Sequence, residues 1–347
     1  MAASTVSPRA FTLVTALVSL VSSLLIATPA SAQTLNKVKA RGSVNCGVNT
    51  GLIGFATHDA QGSWSGFDVD LCRALAAAIF NDPKKVTFVP LETTDRFPAL
   101  VSDRVDVLSR NTTWTIAREA TLKVNFAAVT YYDGQGFLVR RNMNVSTALE
   151  LANSTVCAQE NTTSVLNFVD YFRTNNIRYT LVALASADDM LKAYDGGRCT
   201  VVTSDTSQLS AQRLSLKSPD DHVVLPDVIS KEPLGPVVRF GDDQWLGIVK
   251  WTHYAMLNAE ELGVNSHNVD EALKSTKPDV KRLVGTEDNH GEQIGLTKDW
   301  AVRIVRHVGN YSEVFERNIG NSSRLAIPRG LNSLWSNGGI QYAPPIR

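Results

Sequence analysis

Strand-like and helical patterns alternate along most of this chain, and the alternation restricts its fold more than any other feature. The strand-like runs lie at 44–48, 86–90, 105–108, 136–139, 155–158, 179–184 and 199–203. Helical patterns lie between them at 70–80, 96–102, 164–173 and 187–194. This order is typical of α/β proteins, in which helices connect the parallel strands of a sheet. Such sheets bind ligands beyond the carboxyl ends of their strands, where loops and helix N-termini converge.

The N-terminus has the pattern of a secretory signal peptide. Arg9 precedes a stretch without charged side chains at 11–27, and the small residues that a signal peptidase accepts follow at 30–32. We therefore expect export, with removal of residues 1–32. No later stretch approaches ~18 consecutive apolar residues, so the mature protein is expected to be soluble. No cysteine follows the cleavage motif to carry a lipid anchor.

Length and charge restrict the classes of partner. Removal of 32 residues from 347 leaves 315, a size that usually forms two compact bodies. The lost segment contains one Arg, so 33 basic residues oppose 34 acidic ones and the formal net charge is −1. The chain has no long block of like charge and no repeat of the solenoid type. A nucleic-acid partner is therefore not expected.

Four cysteines in an exported chain indicate two disulfides, for which three pairings exist. Cys46 lies in a strand-like run and Cys72 in the helical pattern that follows, whereas Cys157 and Cys199 lie in later strand-like runs. Pairing 46 with 72 and 157 with 199 would keep each bridge within one body, and either alternative would tie the two bodies together. Sequence alone does not choose among the three. No CxxC motif or neighbouring His accompanies them, so no metal site is expected.

The segment Asn-Thr-Thr-Trp-Thr-Ile-Ala-Arg at 111–118 has the composition of a carboxylate-binding site. Threonine hydroxyls, the N–H groups of a starting helix and a guanidinium are all donors suited to an anion. Arg118 follows Thr113 by five positions, so an extended entry and one helical turn would bring both toward one ligand. The alternative is that Thr113 only caps a helix and Arg118 is a solvated surface charge.

Motifs spread over nearly the whole mature chain carry a family resemblance. Gly-Phe-Asp-Val-Asp-Leu-Cys at 66–72, together with 97–107, 109–118 and 131–136, resembles the periplasmic solute-binding proteins of polar amino-acid ABC importers, solute-binding protein family 3. Four later segments resemble the general L-amino-acid-binding branch of this family in particular. They lie at 197–205, 230–236, 241–245 and 338–345.

The resemblance implies a type II periplasmic binding protein. In this fold two lobes, each a mostly parallel sheet flanked by helices, are joined by two hinge strands and enclose the ligand between them. The implied limits are 33–139 for the first part of lobe 1, 140–236 for lobe 2, and 237–347 for a return to lobe 1 with a C-terminal helical extension. Helical patterns at 245–262 and 300–317 belong to that extension.

The resemblance also implies roles for residues of the first lobe. Arg118 would grip the α-carboxylate of an amino acid and Thr113 would supply a hydroxyl to it. The backbone near Asn111 would accept a hydrogen bond from the ammonium group. A guanidinium suits this task because it offers two parallel donors to a carboxylate.

Three residues of the second lobe complete the implied site. Thr162 and Thr163 belong to Gln-Glu-Asn-Thr-Thr at 159–163, where Asn161 replaces a glycine of the family motif. Asn adopts left-handed backbone angles more readily than most residues, so we expect the turn to be retained. The two threonines would meet the same carboxylate at a helix start, and Asp205 would pair with the ammonium.

Selectivity for the ligand's side chain is less well defined. Related binding proteins often hold that side chain between aromatic rings, but this chain has Leu52 and approximately Thr93 at the corresponding places. Trp114, with Phe55 and Tyr132, could supply apolar walls. Broad amino-acid specificity is therefore expected, with a preference for Glu, Gln, Asp or Asn as the variant.

The expected function is the capture of free L-amino acids in the periplasm and their delivery to the membrane permease subunits of an ABC transporter. A monomer without cofactor, metal or nucleic-acid partner is expected. The alternative is an exported lyase or dehydratase on the same fold. The chain contains no GxSxG, HExxH or Walker A motif, so we do not expect an enzyme.

Overall fold

A computed structural model describes residues 1–2 and 33–347. The expected signal peptide therefore lies almost entirely outside the described residues. None of the described helices has both the length and the apolar character required to cross a bilayer.

Fourteen strands occur in the described part of the chain. They are β1 (Val44–Asn49), β2 (Thr57–His58), β3 (Trp64–Ser65), β4 (Val86–Leu91), β5 (Val107–Leu108), β6 (Val124–Phe126), β7 (Tyr131–Asp133), β8 (Gln135–Arg140), β9 (Ser154–Gln159), β10 (Tyr179–Leu184), β11 (Val201–Asp205), β12 (His222–Val224), β13 (Glu232–Leu234) and β14 (Val237–Arg239).

Thirteen α-helices accompany these strands between residues 33 and 347. They are α1 (Gln33–Arg41), α2 (Phe67–Phe80), α3 (Arg96–Val101), α4 (Ile116–Leu122), α5 (Thr163–Thr174), α6 (Ala187–Asp195), α7 (Thr206–Arg213), α8 (Asp243–Glu261), α9 (Val269–Ala272), α10 (Pro278–Leu283), α11 (His290–Gln293), α12 (Trp300–His307) and α13 (Tyr311–Asn318).

Two five-stranded sheets with the same plan form the centres of two lobes. The first has the order β4-β1-β5-β14-β6 and the second the order β10-β9-β11-β8-β12. In each, three neighbouring strands are parallel, and the fourth runs antiparallel to both of its neighbours. Helices connect the parallel strands, as the alternating sequence pattern predicted. The expected fold class is therefore confirmed.

Two strands carry the chain between the lobes. β7 follows the first sheet and leads into β8 of the second, while β13 returns the chain to β14 of the first. They pair antiparallel, with Tyr131 opposite Leu234 and Asp133 opposite Glu232. The expected lobe limits at 139/140 and 236/237 stay a prediction, and the strand pairings favour crossings at β7 and β13, because β8 lies wholly in the second sheet.

Helix α2 anchors the first lobe, and its start is fixed by a glycine. Gly66 precedes the helix with φ 136°, and a Cβ there would lie 2.1 Å from the carbonyl oxygen of Phe55. Most of the helix is buried, and α8, α12 and α13 of the C-terminal region pack against it.

The helix expected at 300–317 is wrong as one element, because it is divided into two helices. Gly309 takes φ 97°, and Asn310 caps a new helix, α13.

Both disulfides lie within a lobe. Cys46 of β1 is bonded to Cys72 of α2, and Cys157 of β9 is bonded to Cys199, which precedes β11. The pairing that leaves the lobes unlinked is therefore the one the structure contains. The first bridge joins β1 to the helix that follows it, and the second joins β9 to the segment that precedes its sheet neighbour β11.

Candidate functional site

A cavity between the two sheets gathers most of the predicted site residues. Asn49, Gln159 and Asp205, which line it, are the last residues of β1, β9 and β11, so it lies at the carboxyl ends of strands from both lobes. The cavity measures about 40 Å³. Its lining comprises Asn49, Thr93, Arg96, Arg110, Asn111, Thr113, Arg118, Gln159, Thr162, Thr163, Ser164, Ala187, Ser204, Asp205 and Gln208. Six of the seven predicted ligand-binding residues are in that set, and only Trp114 is absent.

Size alone does not mark a site in this protein. A larger cavity of about 500 Å³ lies in the C-terminal region, against Leu262 and Val280. The charged residues along it, Glu271, Lys274 and Lys277, are exposed to solvent. The cavity between the lobes instead contains buried charges, which need partners and therefore indicate recognition of a charged ligand.

Arg118 lies in the first turn of α4 and projects to the cavity. Thr115 caps that helix by accepting a hydrogen bond from the Arg118 backbone N–H at 3.3 Å. The Arg118 Nη1 donates to the Thr113 carbonyl oxygen at 2.5 Å. Thr113 is thus not the cap, contrary to the alternative considered from sequence. Burial lowers the pKa of Arg118, and the carboxylates of Glu232 and Asp205 oppose that effect.

The hydroxyls of Thr113 and Thr163 point to a carboxylate that the sequence motifs did not identify. Both donate to Oε2 of Glu232, at 2.5 Å and 3.0 Å respectively. A hydroxyl has one hydrogen to donate, so each of these two side chains presents only its lone pairs elsewhere. In this conformation the Thr113 hydroxyl therefore does not supply the donor expected for a ligand carboxylate.

Glu232 connects both lobes at the hinge. It lies in β13 with 1% of its surface exposed. Its Oε1 accepts hydrogen bonds from Asn167 and Ser230, each at 2.7 Å. With the two threonine hydroxyls, four donors satisfy this carboxylate, so it orients site residues of the first lobe, the second lobe and the hinge together.

Asn111 is held in place by α2. Its backbone takes φ 40°, and its N–H donates to Asp68 Oδ2 at 3.2 Å. The Ser109 hydroxyl donates to the other oxygen of Asp68 at 3.3 Å. Asp68 is the second residue of α2. Burial raises its pKa to about 7, against the lowering effect of these hydrogen bonds.

The N-terminus of α5 faces the same cavity from the second lobe. Thr162 is the residue before the helix, and its hydroxyl donates to the Gln159 carbonyl oxygen at 2.7 Å. Asn161 takes φ 59°, so the left-handed turn expected for the family glycine is retained by Asn. The first N–H groups of a helix have no intrahelical acceptor, which suits them to a carboxylate.

Asp205 is a buried carboxylate without a hydrogen-bond donor among residues 33–347. It ends β11, and 6% of its surface is exposed. Burial raises its pKa well above the usual range, with Asp133 and then Glu232 adding to the effect, while Arg118 and Arg96 oppose it. A group of this kind favours a ligand that brings a positive charge.

Contacts of Thr93 reach across the cavity. Its hydroxyl oxygen accepts hydrogen bonds from Arg110 Nη2 at 3.1 Å and from Gln159 Nε2 at 3.0 Å, the latter from the second lobe. Arg110 also donates from Nε to the Leu91 carbonyl oxygen at 2.8 Å. The lobes are therefore in direct contact at the site. In related binding proteins, aromatic residues that hold the ligand's side chain are expected at the positions of Leu52 and Thr93. Thr93 lines the cavity here, whereas Leu52 does not.

Trp114 turns away from the cavity. Thr113 is bridged to Leu234 of the hinge in an extended backbone, and successive side chains of such a segment point to opposite sides. The Trp114 ring stacks on Phe126 at 5.5 Å between ring centroids and lines a separate cavity. It is not among the residues that line the cavity between the lobes, and its predicted contact with the ligand stays a prediction.

The arrangement of charges defines a class of protein. Two similar lobes, joined by paired strands, enclose a cavity with arginine side chains from one lobe and the Asp205 carboxylate from the other, and no salt bridge neutralises these groups within residues 33–347. Such a site is suited to a small zwitterion. The fold and the site together are those of a two-lobed binding protein for small charged solutes.

Comparison with known proteins identifies the family. The model of the bacterial extracellular solute-binding proteins, family 3, matches residues 44–284. The chain belongs to this family.

Two curated relatives are similar over nearly their full length. The general L-amino acid-binding periplasmic protein AapJ of Rhizobium johnstonii is 57% identical over 323 residues, covering 92% of this chain and 95% of the relative. The glutamate/glutamine/aspartate/asparagine-binding protein BztA of Rhodobacter capsulatus is 49% identical over 324 residues, covering 93% and 96%. Both are named as binding proteins.

A solved structure extends the similarity to three dimensions. It is described as an ABC transporter/periplasmic binding protein from Brucella ovis with glutathione bound. Its TM-score is 0.90 at 53% identity, and the match covers 91% of this chain and 100% of the other.

Proposed function

We propose that this protein captures free L-α-amino acids in the periplasm and delivers them to the permease of an ABC importer. The observation that carries the proposal is the pair formed by Arg118 and Asp205, which face one cavity from different lobes. Neither side chain is neutralised by a salt bridge within residues 33–347. The names of the AapJ and BztA relatives support the same ligand class.

In this proposal the ligand's α-carboxylate binds Arg118 and the N-terminal N–H groups of α5. Its ammonium group binds Asp205 and the backbone at Asn111. The guanidinium donates two parallel hydrogen bonds, and the buried Asp205 gains the counter-charge that it otherwise lacks. Thr113 and Thr163 contribute to the site through their backbone atoms and through their hydroxyl oxygens. These hydroxyls act only as acceptors toward the ligand, because each donates its hydrogen to Glu232.

Binding would be coupled to closure of the lobes. The two disulfides leave the lobes unlinked, and the paired strands β7 and β13 provide the hinge. Because each charged group of the ligand has partners on both lobes, the ligand binds the closed state more tightly than the open one. Small-angle X-ray scattering of the ligand-stripped protein should show a smaller radius of gyration after ligand is added, and an unchanged radius at saturation would contradict closure.

The remaining expectations belong to the same proposal. Export would remove residues 1–32, the mature protein would act as a monomer, and its macromolecular partner would be the permease rather than a nucleic acid. The protein would release its ligand chemically unchanged. Mass spectrometry of ligand recovered after long incubation would test this last point, and detection of a converted product would instead support the lyase or dehydratase alternative.

Calorimetry of the exported, ligand-stripped protein against the twenty amino acids tests the proposal directly. We expect binding of several L-amino acids and none of D-enantiomers at comparable strength, because Arg118, Asp205 and Asn111 fix the three-dimensional order of charges. A protein that folds and binds no amino acid would overturn the proposed function.

A further inference from the structure

The C-terminal segment that follows α13, residues 319–347, returns to the hinge. It lies beyond the range 44–284 that the family model matches. Asn332 of this segment is 3% exposed, and its side chain pairs with both backbone groups of Tyr132 in β7. Its Oδ1 accepts a hydrogen bond from the Tyr132 N–H at 2.7 Å, and its Nδ2 donates to the Tyr132 carbonyl oxygen at 3.0 Å. The side-chain amide therefore takes the place of a neighbouring strand along the edge of β7 that faces away from β13.

The first lobe holds Asn332 in this position. The Asn332 carbonyl oxygen accepts hydrogen bonds from Nε and Nη2 of Arg329, at 3.1 Å and 3.0 Å. The same guanidinium forms a salt bridge of 3.1 Å with Glu260 near the end of α8, and both side chains are mostly buried. A second side chain of the segment, Gln341, donates to the Thr130 carbonyl oxygen at 3.2 Å, just before β7. The C-terminal segment therefore binds the start of the hinge to the first lobe at two points.

The next residue along β7 is bound by the second lobe instead. The Asp133 carboxylate accepts hydrogen bonds from the Thr206 hydroxyl at 2.6 Å and from the Ser207 N–H at 3.2 Å, both at the start of α7. The carbonyl oxygen of Gly134 also accepts from the Thr206 N–H, at 2.8 Å. One peptide link, between Tyr132 and Asp133, therefore separates a residue held by the first lobe from a residue held by the second.

We propose that Asn332 is a positioning residue of the hinge, which holds β7 against the first lobe and so confines the closing motion to the link after Tyr132. This inference rests on the proposed function, because it assigns the C-terminal segment a part in the closure that captures the ligand. Asn332 is not among the residues that line the ligand cavity. Its effect on binding therefore acts through the movement of the lobes and not through a contact with the ligand.

Loss of this anchor should favour the open state. In the closed state, contacts between the lobes also hold the hinge, among them the hydrogen bonds of Thr113 and Thr163 to Glu232. Opening separates those contacts, so without Asn332 the backbone of β7 gains a freedom in the open state that the closed state does not share. The freedom of one residue's backbone corresponds to about a 10-fold change in the ratio of the two states. Affinity should fall by the same factor, because the ligand binds the closed state more tightly.

Calorimetry with L-glutamate and L-glutamine tests the assignment. We expect Asn332→Ala to weaken the binding of both ligands by a common factor of about 10, because the balance of open and closed states does not depend on the ligand's side chain. Asn332→Asp keeps the shape and one acceptor but places a second oxygen against the Tyr132 carbonyl, so it should weaken both ligands at least as much. Asn337→Ala, at an exposed position of the same segment, is the matched control and should change neither affinity.

Scattering and amide hydrogen exchange separate positioning from a purely structural role. Ligand-free Asn332→Ala should have a larger radius of gyration than ligand-free wild type, and the two radii should agree at ligand saturation. Exchange in the ligand-free variant should be faster at Thr130 and Tyr132, with no change in β1 or β9. A lowered thermal midpoint with unchanged affinities and an unchanged radius would limit Asn332 to the stability of the fold and would overturn the inference.

The remaining outcomes distinguish this inference from the proposed function. Unequal weakening of the two ligands would place Asn332 in ligand recognition and would overturn the inference. If Asn332→Ala does not fold, Asn332→Asp decides, and wild-type affinities in that variant would contradict the anchor. Failure of folded wild type to bind either amino acid would instead overturn the proposed function. The ligand-free radius and the amide exchange would then still decide on Asn332, since wild-type values of both in its variants would overturn the inference.

Discussion

The two lobes have the same sheet plan but bring opposite charges to the ligand cavity. The first lobe contributes Arg96, Arg110 and Arg118, and the second contributes the carboxylate of Asp205 together with the N-terminus of α5. Each lobe alone offers an incomplete site for a zwitterion. In the proposed function, the same division of charge therefore explains both the selectivity for zwitterions and the closure of the lobes. Only the closed state brings both charges into contact with one ligand molecule.

The hinge adds a third contribution that belongs to neither lobe. Glu232 of β13 accepts hydrogen bonds from Thr113 of the first lobe and from Thr163 and Asn167 of the second. These contacts exist only when the two lobes are close together. The hinge strand therefore both connects the lobes and aligns their binding residues.

The largest expected effect is that of Arg118→Ala, which removes the main positive group of the first lobe. We expect amino-acid binding to weaken by about 2–5 kcal/mol, because the ligand's α-carboxylate would be buried without its charged partner. Calorimetry measures the change, and Arg104→Ala serves as the control at an exposed position. Near-wild-type affinity in the folded Arg118→Ala variant would show that Arg118 does not bind the carboxylate.

Asp205→Asn removes the charge of the second lobe while retaining the side-chain shape. We expect a loss of about 1–3 kcal/mol, since an amide oxygen still accepts a hydrogen bond from the ammonium but no longer compensates its charge. The variant should also remain more open at equal ligand occupancy, with a larger radius of gyration by small-angle scattering. An unchanged affinity would show that Asp205 does not bind the ligand. It would also contradict the proposal that the two lobes contribute opposite charges to the site.

The dependence of binding on pH follows from the raised pKa of Asp205. Burial, Asp133 and Glu232 favour its protonated form in the ligand-free protein, whereas a bound ammonium favours the carboxylate. Binding should therefore release a proton, and affinity should rise as pH rises through the raised pKa. The ligand-free protein should lose stability in the same direction, because its folded state holds this proton more tightly than its unfolded state does.

This prediction is measured as the difference between wild type and Asp205→Asn. Titrations at a series of pH values above the usual pKa of a carboxyl group, in buffers of different ionisation enthalpy, report the released proton. Asp68 also titrates near this range, since its pKa is raised to about 7, and it remains present in both proteins. Identical pH dependence in the two proteins would assign the effect to Asp68 or another group.

Glu232→Gln should have the smallest effect on affinity, about 1–2 kcal/mol, because it disturbs alignment rather than a direct charge contact. The amide NH₂ cannot accept hydrogen bonds from the donors that now surround the carboxylate. Ser230→Ala, which removes only one of those donors, is the milder comparison. Scattering should show incomplete closure in Glu232→Gln, and normal affinity with normal closure would limit Glu232 to a structural role.

Local sequence patterns were sufficient for the α/β order, and the family resemblance supplied most candidate site residues. The run Tyr179–Leu184 became a strand with those bounds, and the patterns near α2, α5 and α6 became helices within a few residues. The strand expected at 199–203 lies instead at Val201–Asp205, which places Asp205 at its carboxyl end. These elements depend on near neighbours and on hydrophobic periodicity, which a sequence records directly.

The direction of Trp114, the partners of Glu232 and the burial of Arg96 were decided by tertiary structure. Thr113 and Glu232 are 119 positions apart, and their hydrogen bond sets which side of the segment faces the cavity. Arg96 has the sequence context of an ordinary charge at a helix start, and only the packing of both lobes around it buries its guanidinium. The sequence by itself determined the α/β order of the elements, the even set of cysteines and the candidate zwitterion partners. Burial and long-range pairing depend on how distant segments meet, so only the tertiary structure decided which charges lack a partner and which side chains face the ligand.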